Sequence, residues 1–310
     1  MSTVLSATEI MRRSLVTLSP SDDVHTSISR LLRDNISGAP VVDEDGRYLG
    51  VFSEKCSINA LTEVIQSARE VGLHVVRVRE FMTCDLVTLS QSMCVFDAID
   101  HLLSRRISGA PVIDDEGRYA GIFSEKTAMR VLASALHDQL PGTNVGAYMN
   151  LDRNRIIDEN DMLLEVAQKF QETPYRRLPV LYGDKLAGQV SRRDVLKAEH
   201  RLASEVHARA MQSPLAHLRA AATPRFVSEY MDCAALTASP TTDLLGITQM
   251  FLNSPYRRLP IVDNGKLLGQ VSRRDLLNAA AGIMKPKKPR GRAETLYLSQ
   301  LSAAAPPSLS

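Results

Sequence analysis

The chain has 310 residues, 37 Lys and Arg against 35 Asp and Glu, and a formal net charge of +2, which excludes a protein acting through overall basicity on nucleic acid. Hydrophobic residues make up 44% and charged residues 23%, a composition that builds cores rather than a disordered chain. Aromatics are only 5% and Trp is absent, which argues against a broad aromatic recognition surface.

Read in chain order, one small unit recurs four times. In unit one a short strand over Val16–Leu18 leads into a helix whose start is marked by Ser19-Pro20-Ser21-Asp22. Val24, Ile28, Leu31 and Leu32 then form an apolar stripe at helical spacing. Residues 36–55 read ISGAPVVDEDGRYLGVFSEK, a hairpin closed by a serine that opens a second helix. Unit two repeats the pattern with a strand at Val87–Leu89, the stripe Val95, Ile99, Leu102 and Leu103, and ISGAPVIDDEGRYAGIFSEK over 107–126, identical to its counterpart at 15 of 20 positions.

Unit three begins with a strand over Arg155–Ile157 and a helix start at Asp158-Glu159-Asn160-Asp161, followed by PYRRLPVLYGDKLAGQVSRRD over 174–194. A helical linker over about 200–224, broken at Pro214, extends its second helix. Unit four has a strand over Leu236–Ala238, Pro240 at the first helical turn, and PYRRLPIVDNGKLLGQVSRRD over 255–275, identical to unit three at 15 of 21 positions. Its Asn264-Gly265 predicts a tight hairpin turn, and a helix is expected from Ser272. Landmark prolines (Pro40, Pro111, Pro179, Pro260), glycines (Gly50, Gly121, Gly188, Gly269) and serines (Ser53, Ser124, Ser191, Ser272) hold one frame throughout. Residues 284–310, dense in Pro and Lys and then in Ala, Ser and Pro, read as a disordered tail.

The predicted fold is α/β (α+β): four β-α-β-β-α units, each too small to be stable alone, packed in pairs about pseudo-two-fold axes. Because unit one resembles two and unit three resembles four, the expected modules are residues 5–141 (units about 8–68 and 79–140) and 145–283 (units about 146–201 and 226–283).

Eight arginines stand in doublets at 176–177, 192–193, 257–258 and 273–274, at strand or helix starts, two of them beside a helix N-terminus where free backbone N–H groups already favour anions. Their forks match phosphate oxygens, and few acids are evident nearby apart from Asp194 and Asp275. Salt bridging across a subunit interface is the alternative use. Ser191 with Asp194 and Ser272 with Asp275 also satisfy the capping-box pattern, worth about 1 kcal/mol. Units one and two keep the serine without the acid, so the acid is dispensable for the fold.

These motifs resemble the cystathionine β-synthase (CBS) domain, and four copies resemble two tandem (Bateman) modules. The resemblance implies a non-catalytic regulator that binds an adenine nucleotide (AMP, ADP or ATP) and signals to a partner protein. It places ribose at Asp194 and Asp275 with Ser191 and Ser272 beside them, and phosphate at Arg176, Arg177, Arg257 and Arg258. Ile156 and Thr237 match the base pocket, with Tyr175 and Tyr256 next to it. In units one and two the ribose position is Cys56 or Thr127 and the arginine pair is missing, so the first module is expected to be empty or to hold another ligand.

An enzyme is not expected, since no nucleophile, base or metal set stands out. The four cysteines have no CxxC spacing and are expected as buried free thiols of a cytoplasmic protein. No apolar run approaches a membrane span, and the N-terminus does not read as a signal peptide. A homodimer is expected because the joint at 142–146 is short, while a scaffold with empty clefts is the competing reading.

Overall fold

The computed structural model describes residues 5–67, 75–135, 143–212 and 223–284. Unit one contains α1 (Ala7–Ile10), α2 (Val24–Arg33), β1 (Gly38–Val42), β2 (Tyr48–Ser53) and α3 (Glu54–Ser67). Unit two contains a 3-10 turn at Val78–Glu80, then β3 (Leu89–Ser90), α4 (Val95–Ser104), β4 (Gly109–Ile113), β5 (Tyr119–Ser124) and α5 (Glu125–Ala135). Unit three opens with 3-10 turns at Val145–Ala147 and Arg153–Arg155, followed by α6 (Leu163–Glu172), β6 (Arg177–Tyr182), β7 (Lys185–Ser191) and α7 (Arg192–Gln212). Unit four contains α8 (Val227–Tyr230), α9 (Leu244–Leu252), β8 (Arg258–Asp263), β9 (Lys266–Ser272) and α10 (Arg273–Met284).

Each hairpin is antiparallel, and the first strand of each unit joins it in parallel by very few residues. Leu18 bridges Val41, Ile157 bridges Val180 and Ala238 bridges Ile261, and only unit two extends this pairing into a two-residue strand. Asn264 (φ 48°) and Gly265 (φ 78°) both take the left-handed conformation that a two-residue hairpin turn requires. The first helices start later than the cap-like pairs suggest. Asp22 and Asp161 accept from the backbone N–H of Ser19 and Asp158, closing a turn, and the helices begin at Val24 and Leu163. In unit four Asp243 caps the helix by accepting from Gly246 N–H at 2.7 Å. Helix α7 does extend unit three's second helix; Pro214 and the expected tail from 285 lie outside the described residues.

Two sheet-joined pairs are present, but they are not the consecutive ones. The leading segment of unit one lies on the hairpin of unit four, where Arg12 and Gln270 exchange backbone hydrogen bonds at 2.9 Å, and the leading segment of unit four returns the contact through Asp232 and Val51. Units two and three pair in the same way, Thr83 with Gln189 and Asn150 with Ile122. The landmark glycines record this pairing. A Cβ on Gly50 would stand 2.7 Å from Asp232 O, on Gly121 2.8 Å from Asn150 O, on Gly188 3.1 Å from Thr83 O and on Gly269 2.7 Å from Arg12 O.

Helices join the pairs. One core unites units one and three around Phe52, Phe170, α3 and α7, and a second unites units two and four around Phe123, Phe251, α5 and α10. The four units therefore close a ring within one chain, in the order one, four, two, three. The expected modules 5–141 and 145–283 are thus replaced by one-with-four and two-with-three. Charge fits the helix seams: Glu54 of unit one meets Arg193 of unit three, and Glu125 of unit two meets Arg257 and Arg274 of unit four.

Candidate functional site

Three clefts open where paired units meet. The first, about 420 Å³, lies between units one and four and is bordered by Ser53, Lys55, Asp232, Tyr256, Arg257 and Arg258, with Arg176 reaching in from unit three. Its counterpart between units two and three, about 360 Å³, is bordered by Ser124, Lys126, Asp152, Tyr175, Arg176 and Arg177, with Arg257 reaching in from unit four. The third, about 230 Å³, is the other half of the one-with-four pair and holds Arg12, Ser272, Asp275, Arg257, Arg258 and Arg274.

Arg176 and Arg257 border both larger clefts, so positive charge concentrates at the centre of the ring. Burial, Arg257 and Arg192 together hold the Arg176 guanidinium well below its ordinary pKa. Burial and Arg257 lower Arg177 and push Arg258 down to about 10. A group strained in this direction gains from any added anion.

The arginines are not without acids, and here the sequence reading is corrected. Glu125 is 3% exposed and accepts from Arg257 Nη2 at 3.1 Å and Arg274 Nη2 at 3.4 Å, while Glu54 accepts from Arg193 Nε at 3.0 Å. Both glutamates come from the Ser-Glu-Lys motif of units one and two, where in sequence they look like ordinary first-turn acids. Arg192 and Arg273 serve the fold, each donating to two carbonyls at the end of the preceding helix, Phe170 and Thr173 or Phe251 and Ser254. Arg177 donates to Ser108 Oγ at 3.4 Å and Arg258 to Gly38 O at 3.0 Å, so these forks already lean onto the other unit of their sheet pair.

Asp194 and Asp275 both form the capping box. Asp194 Oδ2 accepts from Ser191 N and Oγ at 2.8 and 2.7 Å, and Asp275 Oδ2 from Ser272 N and Oγ at 2.9 and 2.6 Å. One oxygen of each carboxylate is thereby used. Asp275 Oδ1 also accepts from Arg12, at 3.2 Å from Nε and 3.1 Å from Nη2. The two aspartates, expected in one module, belong to different sheet pairs.

Tyr175 and Tyr256 border the larger clefts and donate to Asp152 and to Asp232 Oδ2 respectively, the latter at 3.1 Å. Arg155 stacks over the Tyr175 ring at 4.8 Å from its centroid. Ile156 instead packs toward Tyr119, Ile122 and Leu181, and Thr237 borders none of the three clefts. The residues of those segments that do border clefts are Asp152, Arg155, Asp232 and Ala235, and they face the half-sites of Thr127 and Cys56. Those half-sites lack the arginine doublet, but unit two supplies Arg130 and both receive arginines from their partners, which corrects the expectation of a site without phosphate-binding groups.

Among the described residues no group of three or more His, Cys, Asp or Glu could hold a metal ion, and no helix is long and apolar enough to cross a membrane. All four cysteines are unpaired, with Cys56 buried as expected and Cys84, Cys94 and Cys233 exposed.

The CBS domain profile matches four stretches, residues 7–55, 78–134, 148–201 and 227–282. Similar proteins include uncharacterized protein MJ1225 of Methanocaldococcus jannaschii, 25% identical over 212 residues that cover 64% of this chain and 68% of that one. The 5'-AMP-activated protein kinase subunit gamma-3 of Sus scrofa is 23% identical over 203 residues, 60% of this chain and 38% of the relative. Among solved structures, CBSX2 in complex with AMP is 29% identical, with a TM-score of 0.37, covering 40% of this chain and 96% of that one.

Proposed function

The chain belongs to the CBS-domain family, and from that premise we propose that it is a non-catalytic sensor of adenine nucleotides that signals to a partner protein. The observation that carries this reading is the convergence of Arg176, Arg177, Arg257 and Arg258 on clefts at the ring centre, with Glu54 and Glu125 as the buried acids set against the arginine doublets. A phosphate supplies the missing negative charge in a partly desolvated setting, where charge-assisted hydrogen bonds are worth ~1.5–3 kcal/mol. The name of the kinase subunit, which carries 5'-AMP, agrees in ligand class.

In this reading ribose hydroxyls reach Asp194 and Asp275 in separate pairs, with Ser191 and Ser272 alongside, and the arginines take phosphate. Tyr175 and Tyr256 stand over the half-sites of units two and one. Output passes through the ring: a nucleotide in one pair draws arginines from the other, so filling changes how the pairs sit together. The ring is complete in one chain, so a homodimer would use a further surface; light scattering at micromolar concentration separates a monomer of 34.1 kDa from a dimer.

Calorimetry with AMP, ADP and ATP on the full chain tests the proposal, together with absorbance at 260 nm of material released on denaturation. Asp275→Ala is expected to weaken its half-site about ten-fold while costing ~1 kcal/mol of cap stability. No heat at millimolar nucleotide and no released chromophore would leave the scaffold reading. That reading has its own observation: Arg257 and Arg193 already form ion pairs between units.

A further inference from the structure

Arg12 stands in the leading segment of unit one, outside the doublets, and it meets the group that the nucleotide reading assigns to ribose. Asp275 Oδ2 is committed to Ser272, and Oδ1 is held by Arg12 Nε and Nη2. Both carboxylate oxygens are therefore engaged before any ligand arrives. The Arg12 backbone is fixed by its reciprocal bonds with Gln270 and by contact with Gly269. Its side chain is 68% exposed against 11% for Asp275, so it can leave for solvent without moving the fold. The register-equivalent residue in the two-with-three pair is Thr83, which bridges Gln189 as Arg12 bridges Gln270, and it carries no charge.

We propose that Arg12 sets the affinity of the Asp275 half-site as a built-in occupant of the ribose seat that a nucleoside must displace. This deepens the nucleotide reading and rests on it. The 230 Å³ cleft is small with Arg12 in place, and withdrawal of the side chain is what opens the carboxylate edge to a pair of hydroxyls. An exposed ion pair of this kind is weak, so displacement lowers affinity by a modest factor and does not close the site. The effect falls on the sugar, and so it is the same for a nucleoside and a nucleotide.

The test is calorimetry on the full chain with two probes, adenosine and AMP, using wild type, Arg12→Thr, Asp275→Ala and the double variant. Arg12→Thr, which copies the residue at 83, is expected to bind both probes about three-fold tighter, and the gain should vanish when Asp275 is Ala. Melting curves check that the variant is folded, and Arg12→Gln serves in its place if it is not. Unchanged affinity for both probes overturns the proposal while wild-type AMP binding leaves the nucleotide reading standing. Weaker AMP binding with unchanged adenosine also overturns it, by making Arg12 a phosphate contact. Absence of heat with both probes in every variant overturns the nucleotide reading and this inference with it.

Discussion

The two helix seams of the ring share a plan and differ in what they bury. Between units one and three, α3 meets α7 and encloses Glu199, which is 0% exposed and accepts from Thr62 Oγ1 at 2.7 Å, while Gln171 donates to that same hydroxyl at 3.0 Å. His25 and His200 stack beside it at 4.3 Å, each within 3.1 Å of a serine hydroxyl. Between units two and four, the positions equivalent to His25, Thr62 and Glu199 are Phe96, Ala133 and Ala280, and both Phe96 and Ala280 pack on the apolar core. Nearly the same geometry is thus held once by apolar contact and once around a titratable cluster. The polar seam needs a proton to be comfortable, and the apolar seam does not.

This difference can be measured. Burial pushes the Glu199 carboxyl up to about 8, against the hydroxyl bond from Thr62 that lowers it. The folded state therefore holds a proton that the unfolded chain releases at about pH 4.3, and stability falls as pH rises between those values. Glu199→Gln is expected to be nearly neutral at about pH 4–5 and to stabilise by about 3 kcal/mol at about pH 8, read as parallel melting or denaturant curves across pH. A gap that does not grow with pH would make the two seams equivalent after all.

Thr62→Ala, copying the apolar seam at one position only, removes the hydroxyl that donates to Glu199 and accepts from Gln171. It is expected to cost about 1–2 kcal/mol, with a larger loss at alkaline than at acid pH, because the ionised carboxylate suffers most. The cost should shrink when Glu199 is already Gln. The smallest effect belongs to the histidines. Burial and then His25 lower the His200 pKa, so its contribution is present above the ordinary value of 6.5 and is lost as pH falls through the lowered one. His200→Ala should flatten that acid limb by less than ~1 kcal/mol, visible as a melting difference that develops as pH falls below about 6.5.

Much of each unit was legible because its signals are local. Asn264-Gly265, the serines that open second helices and the acid at the third position of α7 and α10 act within a few residues, and the structure shows each of them in that role. What lies between units was not legible. Resemblance between consecutive units suggests consecutive pairing, yet contacts depend on complementarity, and Glu54 and Glu125 fit the arginine-bearing units better than the latter fit each other. The landmark glycines hold one frame in sequence, but their reason lies between units: a Cβ there would stand 2.7–3.1 Å from a backbone oxygen of another unit's leading segment. Arg12 could not be linked to Asp275 by any spacing rule, since 263 residues separate them. Resemblance puts Ile156 and Thr237 one and two residues past Arg155 and Ala235, which do border a cleft.

The ring also sets a timetable. Its hairpins close over a few residues, but Ala7 bonds to Thr242 and Tyr48 to Gly265, so unit one cannot complete its sheet contact until the last unit has left the ribosome. Units two and three, joined by neighbouring chain, can pair first and wait as an inner core. A chain that has emerged only as far as residue 212 would then hold a finished centre with unit one docked by helices alone, its Gly50 edge open, and that edge would be the place where a second nascent copy could exchange partners.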